Sequence, residues 1–341
     1  MGVNLSDILE PEKVDLEHFS GRVLAIDAYN TLYQYLSIIR QPDGTPLSDS
    51  KGNTTSHLAG LFYRTSNFLE LGIRPVFVFD GKPSYLKSDT LHARSERKKE
   101  AKAAYEKALE EGDLETARTK AQQTSKLTLK IAEEAKHLLD IMGLPWVQPP
   151  DGCEGEAQAS HMASRGDVWA AASQDFDSLL FGTPLLVRNM TVTGRRKLPY
   201  KNQYITVEPE IIRLENVLAK LGISREQLID LALMIGTDYN PGIRGIGPKT
   251  GLKYMKEFGN LETIMNEKGF EIFNLHAIRD LFMNPNVQTN YKIEWGEPDV
   301  NSLKQFLCQE HEFSENRIDS TLKKLQKAAD RSKQKSLDAF F

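Results

Sequence analysis

The chain has 341 residues, 40% hydrophobic and 26% charged, enough for about two compact units and too long and core-rich for a disulfide-stapled mini-protein. Lys and Arg number 43 against 47 Asp and Glu, a net charge of −4, so any polyanionic partner must be met by a local patch. Two cysteines far apart in sequence, Cys153 and Cys308, and the absence of an apolar run near the roughly 18 residues of a membrane span exclude secretion and a membrane partner and point to a reduced, intracellular protein.

The start, MGVNLS, fits an acylation pattern of Gly2 and Ser6, but three of its six positions are free. Short, bounded apolar runs predict buried strands at Val23–Ile26, Val76–Phe79, Trp169–Ser173 and Leu185–Arg188. Helical patterns lie between them, so the predicted fold is α/β with a mostly parallel central sheet flanked by helices. Residues 82–130 stand apart: twelve Lys or Arg against eight Asp or Glu, rich in Ala and poor in large apolar residues. That composition predicts helices with little to bury, either a solvated hairpin laced with ion pairs or a mobile element that grips phosphate. Leu127, Ile131, Leu138 and Met142 form one helical stripe that stops at Gly143. A continuation of the sheet-and-helix core that opens over 1–81 is expected over 131–222. From Ser224 a buried helix ends at Gly236, a turn-rich segment follows, and another helix opens at Pro248, all within a predicted helix–turn–helix region at 223–300. A last helical region, 301–333, precedes the polar RSKQKS and the apolar end LDAFF.

Asp27 and Asp80 follow predicted strands, where open α/β sheets place their active sites, although a strand-end Asp is also a common helix cap. Glu154 and Glu156 open a predicted helix in DGCEGEAQ. Asp175 and Asp177 follow a strand in SQDFDSLL, where extended i and i+2 side chains point the same way, and Asp238 lies in GTDYN. Gathered together, seven carboxylates repel; at an effective dielectric near 20 each pair about 4 Å apart costs on the order of 4 kcal/mol. Such a set makes sense around divalent cations, and hard oxygen donors select Mg²⁺ or Mn²⁺ over zinc. Two groups of acids suit two ions, the arrangement of in-line phosphodiester cleavage, and the ions would let a polyanion approach. In GIRGIGPKTG, residues 242–251, Gly245 and Gly247 permit tight turns, Pro248 suits a first helical position and Lys249 adds charge, so the backbone there can hold a phosphate without reading a base.

The order VLAIDAYNTLYQ, TTSHLAGLFYRT, VFVFDGKP, EGEA, AAASQDFDSLLFG, LMIGTDYN and GIRGIGPKTG resembles the flap endonuclease family of structure-specific 5′ nucleases over nearly the whole chain. The resemblance implies a PIN-like nuclease fold with a helical arch and a helix–turn–helix (H3TH) module. It also implies Mg²⁺-dependent cleavage of branched DNA with a 5′ flap, as endonuclease and 5′–3′ exonuclease, in Okazaki-fragment maturation and repair. Two Mg²⁺ ions per site, with Mn²⁺ able to substitute, would be held by Asp27, Asp80, Glu154, Glu156, Asp175, Asp177 and Asp238. The arch falls on 82–130, with Lys87 and Arg94 contacting the scissile phosphate. Tyr33 matches an aromatic on which a nucleotide stacks, with a core aromatic as the other reading. Arg40, Arg64, Glu154, Gly236 and Asp238 match DNA contacts, and Thr55 lies in a region associated with the 3′ flap. Gln334, Leu337, Phe340 and Phe341, within residues 334–341, match a peptide that binds a sliding clamp (PCNA), and the chain resembles the archaeal form of a prokaryotic-type cell. Cys153 matches no functional position. Two other functions are compatible with these residues: a related nuclease acting on a nick or bubble, and a non-catalytic DNA-binding scaffold recruited to the clamp.

Overall fold

Alternation along short strands builds the sheet: Leu24 and Ile26 face one hydrophobic cluster and Ala25 another, and Phe77 faces the first while Val76 and Val78 face the second. The computed structural model describes residues 2–111, 113–191, 194–197 and 204–338, with side chains throughout except at 88–94, 109–110, 114–115, 117–118, 194–197, 204–205 and 328–338. In chain order the first part comprises β1 (Glu12–Lys13), β2 (Val23–Asp27), α1 (Ala28–Ile38), α2 (Ser56–Glu70), β3 (Arg74–Val78), α3 (Ser88–Glu110), α4 (Leu114–Gln123) and α5 (Leu129–Ile141). Next come β4 (Trp146–Val147), α6 (Gly155–Ser164), β5 (Ala170–Ala172), α7 (Asp177–Leu180), β6 (Leu185–Arg188), the hairpin β7 (Gly194–Lys197) and β8 (Tyr204–Val207), and β9 (Glu210–Arg213). The rest is helical: α8 (Leu214–Leu221), α9 (Arg225–Ile235), α10 (Pro248–Phe258), α11 (Leu261–Lys268), α12 (Leu275–Met283), α13 (Val300–Lys304), a π-helical turn at Gln305–Glu310 and α14 (Glu315–Asp338).

The sheet order is β1-β9-β6-β5-β2-β3-β4. Its centre is parallel, through β6–β5, β5–β2, β2–β3 and β3–β4, and β9 and β1 add an antiparallel edge. Three neighbouring strands, β5, β2 and β3, therefore end on one side of the molecule, and a functional site of an open parallel sheet belongs there. One cluster packs α1, α2, α5 and α14 against the sheet through residues such as Leu32, Phe62, Leu138 and Leu322. A second joins the amino-terminal residues Val3 and Leu5 to α7, α9 and α12.

Residues 82–130 form the expected helical hairpin. Among the described side chains of its two helices the buried ones are Ala101, Ala108 and Ala121, so α3 and α4 pack together with little apolar area to bury. Two local expectations are corrected. The strand before the Asp pair ends at Ala172 and the chain bends, so Asp175 lies in a turn and Asp177 is the first residue of α7; strand alternation does not align them. The last helix also continues unbroken through Gln334 and Leu337 to Asp338, where a separate polar tail was expected. Lys and Gln sustain helix as readily as they solvate a tail, which explains the difference.

Candidate active site

Asp27 is the last residue of β2 and caps α1, its Oδ1 accepting the N–H of Asn30 at 2.9 Å, so the capping role and the site role coexist. Asp80 lies two residues beyond β3 and accepts the N–H of Gly155 at 2.7 Å, which fixes it against the start of α6. Glu154 is the N-cap residue of α6 and Glu156 lies in its first turn. Ser173 bridges two acids, donating its single hydroxyl proton within reach of Glu156 at 2.5 Å and Asp27 at 3.2 Å. Asp177 accepts the N–H of Val3 at 2.7 Å, and Asp238 follows α9 in the turn closed by Thr237 and Asn240.

All seven acids therefore converge, and their mutual influence is strong. Burial and the neighbouring Asp80 push the Asp27 carboxyl up to about 8. Asp80 is raised to about 6 by burial and Glu154, and Asp177 to about 7 by burial and Asp175. Burial, Asp175 and Asp27 likewise hold Glu156 well above the usual carboxylate range. Lys87, from the foot of the arch, enters this field: its Nζ contacts Glu154, lies 3.4 Å from Asp238 and sits 5.1 Å from the ring centroid of Tyr239. Burial alone would lower its pKa, but Glu154 and Asp238 hold the ammonium above its ordinary value. Tyr239 donates its hydroxyl to Glu154. Among the described residues, no trio of His, Cys, Asp or Glu is gathered tightly enough to close around an ion with the side chains as they stand.

Further along the chain from Asp238, Gly247 caps α10 and Pro248 takes the first-turn position, with Lys249 exposed. Gly236 has φ +111°, and a Cβ there would come 2.9 Å from the carbonyl oxygen of Pro241, so the turn that carries Asp238 requires glycine.

Against known proteins, the chain matches the XPG N-terminal domain over residues 1–101 and the XPG I-region over residues 143–238. It is 50% identical to Flap endonuclease 1 of Methanosarcina barkeri, with all of both chains covered. The chain belongs to the flap endonuclease 1 family. The solved structure of flap endonuclease-1 from Methanococcus jannaschii is 38% identical, with a TM-score of 0.77 over 97% of this chain and 100% of that one. The catalytic core of Rad2, solved in complex with DNA substrate, is 26% identical, with a TM-score of 0.69 over 92% and 96%.

For a flap endonuclease family member, the remaining expected residues fall into distinct places. Tyr33 is 36% exposed, which removes the core-aromatic reading; Lys98 of the arch lies over its ring at 4.9 Å and donates to its hydroxyl at 3.3 Å. Arg40 is engaged inside the protein, donating to the carbonyls of Leu36 and Gly44 and to Ser125 Oγ, so it braces the end of α1 against the arch's trailing leg. Thr55 is buried at the start of α2, and its side chain offers no outward contact; Arg64 is half-buried on the same helix. Arg94 lies on α3, and its side chain falls outside the described residues, as do those of Gln334 and Leu337; Phe340 and Phe341 are outside them altogether.

Sequence reasoning missed the residues that hold the acids: Asn30, Ser173, Tyr239 and the backbone at Val3. Asn30, three residues into a helix capped by Asp27, was the one with a readable signal. A Cβ at Gly2 would lie 2.3 Å from the Asp177 carboxylate, so the chain start threads against the acid cluster and tolerates no side chain there. Gly2→Ala is expected to displace Asp177 and slow single-turnover flap cleavage by about tenfold. An unchanged rate would show that the amino-terminal segment can yield without moving the acid.

Proposed function

We propose that the chain is a Mg²⁺-dependent, structure-specific DNA nuclease that cleaves 5′ flaps, as endonuclease and 5′–3′ exonuclease, in Okazaki-fragment maturation and repair. The observation that carries this reading is the convergence of seven carboxylates, six from the ends of three neighbouring strands and the starts of two helices and the seventh, Asp238, from the turn after α9, beneath a basic helical hairpin. The donor set fits a hard divalent cation: it is carboxylate oxygen throughout, and the nearby Cys153 thiol, pushed up to about 12 by burial, points at the carbonyl of Glu154. Asp27, Asp80, Glu154 and Glu156 would hold one ion, and Asp175, Asp177 and Asp238 a second. The positive charge that activates water and stabilises the attacking and leaving oxygens of an in-line displacement is what a bound Mg²⁺ pair supplies.

The chain's own groups do the rest. Acid side chains rotate inward from their present positions, and Lys87 withdraws from Glu154 and Asp238 to meet the scissile phosphate. There, with Arg94 from the same hairpin, it stabilises charge developing on the phosphate oxygens. Tyr33, uncovered when Lys98 moves aside, stacks on the nucleotide next to the cut. The backbone N–H groups at the start of α10 and the charge of Lys249 hold a duplex phosphate at a distance from the acids, without reading sequence. Synthetic 5′-flap, nicked and bubble DNAs of one sequence, incubated with Mg²⁺ or with EDTA, test this directly. Preferential flap cleavage that disappears in EDTA is expected, and equal cleavage of bubble DNA, or cleavage in EDTA, would reject it.

The reading also includes an intracellular enzyme whose carboxyl terminus docks on a sliding clamp. Gln334, Leu337, Phe340 and Phe341 combine a polar anchor with apolar side chains that a partner pocket would bury. Among the described residues no helix is long and apolar enough to cross a membrane. A chain truncated after Lys333 should cleave short flaps within twofold of the full-length rate and lose its stimulation by the clamp. Equal stimulation of both forms would reject the tail assignment.

A further inference from the structure

Behind Asp175 runs a line of uncharged polar side chains that the chemistry above does not use. Thr191 donates its hydroxyl to the Gln34 amide oxygen, Gln34 Nε2 donates to Asn30 Oδ1 at 2.6 Å, and Asn30 Nδ2 donates to Asp175 Oδ2 at 3.3 Å. Each bond sets the direction of the next. Because the Gln34 oxygen takes the hydroxyl proton, its nitrogen faces Asn30; because the Asn30 oxygen takes that N–H, its own NH₂ group is turned toward Asp175. Such a chain polarises along its length and delivers a strengthened donor to the carboxylate at its end.

Asn30 has a second hold on the cluster. Its backbone N–H donates to Asp27 at 2.9 Å, so one residue in the first turn of α1 donates to an acid at the end of β2 and to another in the turn beyond β5. Those two acids interact electrostatically, which makes their relative placement consequential. The other end of the relay, Thr191, is buried, so its hydroxyl is held in place to orient Gln34.

We infer that Asn30, oriented by Gln34 and Thr191, is a positioning residue that aims Asp175 at the bound divalent ion. This rests on the reading of Asp175 as a ligand. Partners that orient a ligating group typically alter metal affinity by 10–100-fold when removed. The test is calorimetric titration of Mn²⁺ into the DNA-free full chain at fixed pH, with the melting temperature in EDTA as a check on folding. Asn30→Leu should weaken Mn²⁺ binding by about tenfold and Gln34→Leu by about threefold, both melting close to wild type in EDTA. In an Asp175→Asn background, Asn30→Leu should have no further effect, because its action passes through that carboxylate. Wild-type Mn²⁺ affinity in either single variant, or an undiminished loss in the Asp175→Asn background, would overturn the inference. Should Asn30→Leu fail to fold, Gln34→Leu alone decides it. If Asp175→Asn itself binds Mn²⁺ as wild type does, the ligand assignment of Asp175 is what fails, and the relay's role falls with it.

Discussion

Asp27→Asn is expected to abolish flap cleavage while making the metal-free protein more stable. Asp27 is buried, and its carboxyl is displaced upward to about 8 by burial and by Asp80, so ionising it in the folded chain is unfavourable. Asparagine keeps the shape and an acceptor oxygen for the Asn30 N–H, and it removes the cost of either taking up a proton or holding a charge at that buried position on folding. The melting temperature in EDTA should rise by a few degrees, and the further rise that Mg²⁺ gives the wild type should shrink. Cleavage should fall by a factor on the order of 10³ or more, because the lost charge is one that the ion requires. Flap binding in Ca²⁺ should stay within a few-fold. A variant that is destabilised in EDTA, or that still cleaves at a tenth of the wild-type rate, would contradict this account. The site is thus a place where stability is given up for function.

The second large effect is at Lys87. Its side chain is only 14% exposed and lies between Glu154 and Asp238, so in the DNA-free chain it serves as the cluster's internal cation. Lys87→Ala should slow single-turnover cleavage by roughly 10²–10³, the scale of removing one donor to a developing oxyanion, and change flap affinity by less than threefold. It should also tighten Mn²⁺ binding to the DNA-free chain, since a competing charge has gone. Lys87→Arg should restore only part of the rate, because a planar guanidinium with a fixed fork of donors does not fit the space of a compact ammonium. A loss confined to DNA affinity would reassign Lys87 to binding.

Much of this was legible in the sequence because the signals are local. Strand ends, glycine turns and helix starts placed Asp27, Asp80, Glu154, Glu156 and Asp238 on the correct elements, and the Ala-rich basic insert is the helical hairpin its composition indicated. Where the reasoning failed, the determinant was not local. Asp175 and Asp177 were aligned by strand alternation, but a bend after Ala172 brings them to the cluster by a turn and a helix start. Arg40 entered among the DNA contacts only by its match to a family position, and what it holds inside the protein is signalled by no motif. Its three acceptors include Ser125, 85 positions away, which no spacing rule foresees. The same holds for Tyr239 on Glu154 and Val3 on Asp177, partners separated by 85 and 174 positions. The acid cluster as a whole is an accumulation of short motifs, whereas most of the bonds that aim its members are long-range.

Crystals of the protein soaked in Mn²⁺, with anomalous diffraction recorded at the manganese edge, test the central claim most directly. Two strong peaks are predicted, one bordered by Asp27, Asp80, Glu154 and Glu156 and the other by Asp175, Asp177 and Asp238, with Lys87 moved away from Glu154. Fully soaked crystals in which no anomalous peak lies within coordination distance of these seven carboxylates would contradict it.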